Sequence, residues 1–214
     1  QGSGKTENAN VFVSLTDPSL APTRSLATSS RDWEAMLPKS SVVAIDNVTR
    51  ISQEMSDAMC RACTGSSAVT RSLYTDSRAS VSTARVMQII TTIALEELPD
   101  DLMDRAVLFT VPTIGARHRM TGAALKKSRE KLLPIVFGGL LDLLVQVRAA
   151  KSHVELEELP RMADFGLTLG ALDCVLGSQS LARSAESAQE LIADALGDDP
   201  FLRAVKDSAT CYQG

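Results

Sequence analysis

Aromatic residues are scarce in this 214-residue sequence, at 4%, with one Trp, two Tyr and five Phe. Base-stacking surfaces need interleaved aromatics, and only Tyr74 sits near a candidate nucleic-acid segment, where strand packing is its other reading. Histidine is limited to His118 and His153, far from each other and from the cysteines. The cysteines are Cys60, Cys63, Cys174 and Cys211; Cys60 and Cys63 form a C-x-x-C pair with no second pair to complete a zinc site, inside a stretch that reads as helix. No oxidised cysteine framework is indicated, which fits a reducing cytoplasm. A positive charge excess is also lacking: the net charge is −4, so any nucleic-acid contact must come from a local patch. No run reaches the roughly twenty apolar residues of a membrane span. The most apolar stretch, 132–147, is interrupted by Pro134, Gly138, Gly139, Asp142 and Gln146 and reads as a core helix, so no membrane partner is expected. There is no signal-peptide pattern, internal repeat or long low-complexity tract. Hydrophobic residues at 44% and charged residues at 22% are ordinary for a globular protein.

What is present begins at once. Gln1-Gly2-Ser3-Gly4-Lys5-Thr6 matches the second half of the phosphate-loop pattern G-x-x-x-x-G-K-[ST]. Gly2 and Gly4 permit backbone conformations closed to other residues and a close approach to phosphate. The following N–H groups and the helix dipole form an anion cradle. In this pattern Lys5 reaches the β- and γ-phosphates and the Thr6 hydroxyl ligates Mg²⁺. The alternative is a flexible, tag-like Gly-Ser end. The first glycine and the preceding strand are expected upstream of Gln1.

A helix is expected over 4–15, stopped by Asp17-Pro18, then a loop over 17–30 and a short helix over 31–37. Residues 41–47, Ser-Val-Val-Ala-Ile-Asp-Asn, read as a buried parallel strand with its acid at the ligand edge of the sheet. Apolar positions at Ile51, Met55, Ala58, Met59 and Ala62 predict a helix ended by Gly65. Segments 68–74 and 79–83 predict a β-hairpin, 86–93 a second strand and 106–111 a third. Beyond 115 the pattern is helical, over 122–131, 133–150, 162–177, 184–196 and 199–208. The domain division expected is 1–115, a core, and 116–214, a helical region.

Asp46 is the carboxylate that a Mg²⁺ on Thr6 requires at a neighbouring strand end. Thr91, ending the next strand, is placed to bond an attacking water or the γ-phosphate, or is a satisfied strand threonine. Arg105, in D-L-M-D-R before the third strand, is placed to stabilise phosphate charge from a neighbouring subunit, or is a surface arginine capped by Asp101 or Asp104. Arg71 and Arg78 lie in or beside the hairpin, where single-strand phosphates and plain solvation are competing readings. The runs Arg117-His118-Arg119 and Lys126-Lys127 offer a second basic patch, with a solvated helix face as the better reading.

This order of motifs resembles an AAA+ ATPase of the helicase branch. The segments VVAIDNVTRISQEMSDAMCRACTG, RSLYTD, DLMDRA and LPRMADFGLTLGAL look like the ATPase part of phage and mobile-element primase-helicase proteins, covering residues 2 to about 172. The resemblance implies an α/β fold: a three-layer P-loop core with a parallel sheet and an inserted hairpin, then an all-helical C-terminal region. It implies ATP hydrolysis with Mg²⁺, coupled to translocation on single-stranded DNA by a homo-oligomeric ring, a hexamer in such enzymes. Carried over, Lys5 and Thr6 are the Walker A pair, with Gly2, Ser3 and Gly4 around the phosphates, and Asp46 is the Walker B carboxylate. Thr91 is the first sensor, Arg105 the arginine finger, and Arg71 and Arg78 the DNA contacts. Asn47 departs from the usual Glu, since Asn orients a water but takes no proton; Glu54 and Glu96 are substitutes without positional support. That departure favours a rival class, a nucleotide-dependent assembly switch with slow or no hydrolysis.

Overall fold

The structure is a computed structural model; it describes residues 2–37, 40–65, 67–71, 79–83, 85–93, 98–187 and 189. The chain divides into two compact units, residues 1–102 with 111–119, and residues 103–110 with 120–214.

The first unit is a mixed α/β unit with a three-stranded parallel sheet. Strand β1 (Thr23–Arg24) pairs with β2 (Val42–Ile45), which pairs with β5 (Met87–Ile90), giving the order β1-β2-β5. Strand alternation explains the layering. Val43 and Ile45 join a core with Trp33, Leu37, Met55, Ala58 and Met59, from helices α2 (Ser30–Met36), α3 (Gln53–Thr64) and the residue after α2. Ala44 and partly buried Val42 face the other way, onto Ala9 and Val13 of α1 (Lys5–Thr16). Helices thus pack on both faces. Each fully buried large apolar side chain contributes about 1.5–3 kcal/mol, so this small sheet is held from two sides.

Local signals set the helix ends. Ser29 caps α2 by accepting from the Asp32 N–H at 3.1 Å, and Ser52 caps α3 by accepting from the Met55 N–H at 3.3 Å. Gly65 closes α3 with φ 79°. A hairpin of β3 (Ser67–Arg71) and β4 (Ala79–Thr83) forms between α3 and β5, paired Ser67↔Thr83 to Arg71↔Ala79. The sequence expectation of an inserted hairpin holds. Two others do not. Residues 17–30 contain a strand, β1, which a Ser- and Pro-rich context hid. Residues 106–111 are not a strand: the segment follows the short helix α4 (Asp100–Met103) and makes no ladder among the described residues. The Leu108 N–H donates instead to Ser187 Oγ at 3.2 Å.

The second unit is helical. α5 (Gly122–Lys151) begins at Thr121, whose hydroxyl accepts from the Ala124 N–H at 3.3 Å. It packs against α6 (Ala163–Leu176), followed by α7 over 180–187. The sequence predicts two helices, over 122–131 and 133–150, yet a single helix runs through both and through Pro134. Proline removes one donor, and the Leu-, Ala- and Lys-rich turns on both sides have propensity enough to continue. The expectation of a core helix over 132–147 is also corrected. Val147 is the buried residue of α5, while Leu132, Ile135, Val136, Phe137, Leu140 and Leu144 are exposed. Among the described residues α5 is the one helix long and apolar enough to cross a membrane, with a window of mean hydropathy 1.7 of which 6% is buried. The expected helix over 184–196 starts earlier, at 180, and the one over 199–208 lies outside the described residues.

Candidate functional site

The amino end of α1 carries the loop. Gly2 (φ 80°) and Gly4 (φ 73°) both occupy the left-handed region, which only glycine enters without strain. Gly4 is the N-cap and offers no side-chain acceptor, so the first-turn N–H groups are left to an anion or to water. Ser3 is buried between the glycines; Lys5 and Thr6, half-buried, open the helix.

β2 and β5 run parallel with Ile45 opposite Ile90, so their next residues emerge at the same edge. Those residues are Asp46 and Thr91. The Asp46 N–H donates to the Arg24 carbonyl at 2.9 Å, extending the β1 pairing, and the Thr91 N–H donates to the Ile45 carbonyl at 2.9 Å. The Asp46 carboxylate accepts from two hydroxyls. Thr6 Oγ1 lies 2.9 Å from Oδ1 and 3.1 Å from Oδ2, and Thr91 Oγ1 lies 2.5 Å from Oδ1. Thr6 and Asp46 are 40 positions apart, and Thr91 is 45 beyond Asp46. The fold therefore brings three of the residues picked from sequence to one point.

Asn47 turns the chain away from this point. It has φ 56°, the only positive φ of a non-glycine among the described residues, and asparagine is one of the few side chains that tolerates it. Its N–H donates to Thr91 Oγ1 at 3.0 Å, and the Val48 N–H to the Thr91 carbonyl at 2.9 Å. Thr91 is thus both a donor to Asp46 and the acceptor that holds the Asn47 turn. The exposed Asn47 side chain stands beside Asp46 in sequence and outside the hydroxyl–carboxylate cluster.

Hydroxyl and carboxylate oxygens are hard donors that suit Mg²⁺, which keeps water and phosphate oxygens in its other positions. Thr6 and Asp46 fit that role. No cluster of three or more His, Cys, Asp or Glu side chains that would suit a metal occurs among the described residues. C-x-x-C chemistry finds no support either: Cys60 is buried against the Asp101 carbonyl, and Cys63 Sγ receives Gln88 Nε2 at 3.1 Å. Glu54, one possible base, accepts from Ser30 Oγ in the first turn of α3; Glu96 lies outside the described residues.

Arg105, half-buried, belongs to the second unit, in the turn after α4. Without a strand over 106–111, no strand start places it at a sheet edge. Arg71 ends β3, and Arg78 and Tyr74 lie outside the described residues.

Sequence reasoning passed over the segment 111–119, which belongs to the first unit. The Ile114 N–H donates to the Gly2 carbonyl at 3.1 Å, and a Cβ on Gly4 would meet Ile114 Cδ1 at 3.2 Å. The signal was the basic run 117–119, set aside as a solvated face.

A family model described as an actinomycete integrative conjugative element replication protein matches residues 1–194. The chain belongs to this family. Its site accordingly sits in a replication protein of a mobile element. No curated protein matches, and no solved structure matches.

Proposed function

We propose that this replication protein binds Mg-ATP at the loop 2–6 and hydrolyses it to drive movement along single-stranded DNA. The observation that carries the reading is the Thr6–Asp46 hydrogen bond, which unites the loop hydroxyl with a strand-end carboxylate 40 positions away. The backbone N–H groups at Gly4–Thr6 and the Lys5 ammonium hold the phosphate chain; Thr6 and Asp46 hold Mg²⁺, which supplies charge neutralisation on the phosphate oxygens. Thr91, buried and fixed by three backbone partners, positions a hydroxyl beside Asp46 toward the incoming water. In the same reading the protein works as a cytoplasmic ring without a membrane partner. Asp142 and Gln146 within the apolar run of α5 speak for the last point. In this reading Arg105 serves a neighbouring subunit, and Arg71, which ends β3, and Arg78 meet DNA.

Asn47 favours a second reading, an ATP-dependent assembly switch with slow turnover, because an amide at this position can orient a water but cannot take its proton. Calorimetry of Mg-ATP on the full-length protein tests the common part. Lys5→Ala should abolish measurable binding, and unchanged affinity would remove the phosphate-loop assignment. Steady-state turnover of the same protein with single-stranded DNA separates the two readings: DNA-stimulated hydrolysis supports the motor, whereas tight binding with no turnover leaves the switch.

A further inference from the structure

We infer that Arg119 is a second cation of the phosphate loop, supplied in cis, that engages the phosphate chain of the bound nucleotide from the Gly2 side. This rests on the nucleotide reading above. Four observations place the arginine. Segment 111–119 is tied to the loop through the Ile114 N–H and the Gly2 carbonyl, 3.1 Å apart. It then makes a 3₁₀ turn at Ala116–His118, with the His118 N–H on the Gly115 carbonyl at 2.9 Å, which returns the chain toward the loop. Arg119 Nε donates to the Ile114 carbonyl at 3.3 Å, so the same residue that grips Gly2 also orients the guanidinium. One terminal guanidinium nitrogen lies 3.6 Å from where a Gly2 Cβ would stand.

The chemistry of the position follows. Gly2 is exposed and left-handed, and a phosphate held by the loop N–H groups would share this surface with Arg119. The Nε bond leaves the forked end of the guanidinium for phosphate oxygens, the geometry for which arginine is best suited. Lys5 is the one cation within the loop motif, while ATP carries several negative charges of which Mg²⁺ offsets two; a second fixed cation meets that surplus. Arg117, His118 and Arg119 are all exposed, and of the three it is Arg119 whose guanidinium lies beside Gly2.

The test measures binding of Mg-ATP, inorganic triphosphate with Mg²⁺, and adenosine to the full-length protein and to Arg119→Ala, Arg119→Lys and Lys5→Ala, with melting temperature as a fold control. Arg119→Ala should weaken Mg-ATP and triphosphate by roughly tenfold or more, as expected for loss of a charge-assisted bond. Adenosine affinity should be unchanged, and Arg119→Lys should recover part of the loss. If Lys5→Ala loses ATP while Arg119→Ala binds both phosphate probes like the parent, the loop reading stands and the Arg119 inference is overturned. If Arg119→Ala weakens adenosine equally, the arginine acts through the fold and the inference is again overturned. If the parent binds neither ATP nor triphosphate, the loop reading itself fails, and this inference with it.

Discussion

α3 and α5 are both regular, capped helices, yet they follow opposite rules. α3 puts Met55, Ala58, Met59 and Ala62 on one side and buries all four, while Gln53, Glu54, Asp57 and Arg61 face water. α5 is apolar around much of its circumference over 132–147 and leaves most of those residues exposed. A stripe identifies the face that a helix buries, whereas an all-round apolar helix identifies only that burial is wanted, by a larger protein core or by lipid. The difference teaches that the same hydrophobic content is informative in one place and silent in the other.

The sharpest way to break the comparison is a pair of truncations. Met59 is completely buried, and Met59→Ala should cost about 2–5 kcal/mol of unfolding free energy. Leu140 is 44% exposed, and Leu140→Ala should change stability by no more than about 0.5 kcal/mol. Denaturant melts of both variants check this. A cost at Leu140 comparable to that at Met59 would mean that α5 is covered in the protein in solution, and the contrast between the helices would disappear.

A smaller effect separates α5 from its own neighbour. At Gly166 in α6 a Cβ would fall 2.4 Å from Pro160 Cγ and 2.8 Å from Cδ, whereas at Gly138 in α5 it meets nothing within 4 Å. Gly166→Ala should therefore destabilise by about 1–3 kcal/mol through overpacking. Gly138→Ala should stabilise by up to about 1 kcal/mol, since Ala is the better helix former. Thermal melts showing the same sign for both would contradict the placement of α6 against the 154–160 segment.

The same contrast explains what was legible in the sequence. Gly2, Gly4, Lys5, Thr6, Asp46 and Thr91 were identified because each answers a backbone or charge requirement that few residue types meet. Strand β2 was visible as an apolar run ending in an acid, and the hairpin as two β-rich segments around a turn. β1 was invisible: two residues have no period, and Thr23–Arg24 is defined by its pairing with Ala44 and Ile45. The expected strand over 106–111 was apolar enough, but a strand exists through its ladder, and propensity does not supply the partner. The expected division between 131 and 133 is absent because the cost of Pro134 within one helix is outweighed by the thirty residues of helix around it. The position of Arg119 beside Gly2 has no sequence signal because it depends on a hydrogen bond between Ile114 and Gly2, far apart in the chain. The finer reading, an ATP-driven motor, depends on chemistry that neither family membership nor fold supplies, and the binding and turnover measurements carry it.

The smallest effect concerns a polar lock in the helical unit. Asp173, near the end of α6, accepts from Ser178 Oγ at 2.6 Å, the Ser180 N–H at 2.6 Å and the Leu181 N–H at 3.0 Å, and so joins α6 to the start of α7. Burial pushes its carboxyl upward, but these donors favour the charged form more strongly, Ser178 first, then the Leu181 and Ser180 N–H groups and the Ser180 hydroxyl, and hold it at about 2 against an ordinary 3.8. A carboxyl whose pKa is lower in the folded state stabilises that state fully above its unfolded pKa. The contribution is thus present above pH 3.8 and is lost as pH falls through about 2. Asp173 is partly exposed, so screening limits the effect to under about 1 kcal/mol. Amide exchange at Ser180 and Leu181 reads it locally: protection should be steady from pH 7 to 4 and fall between 4 and 2. Asp173→Asn should lower protection at pH 7 and remove that acid step. An acid step of the same size in the Asn variant would assign the sensitivity to another group, and the helical unit would then hold no charge-dependent lock at this joint.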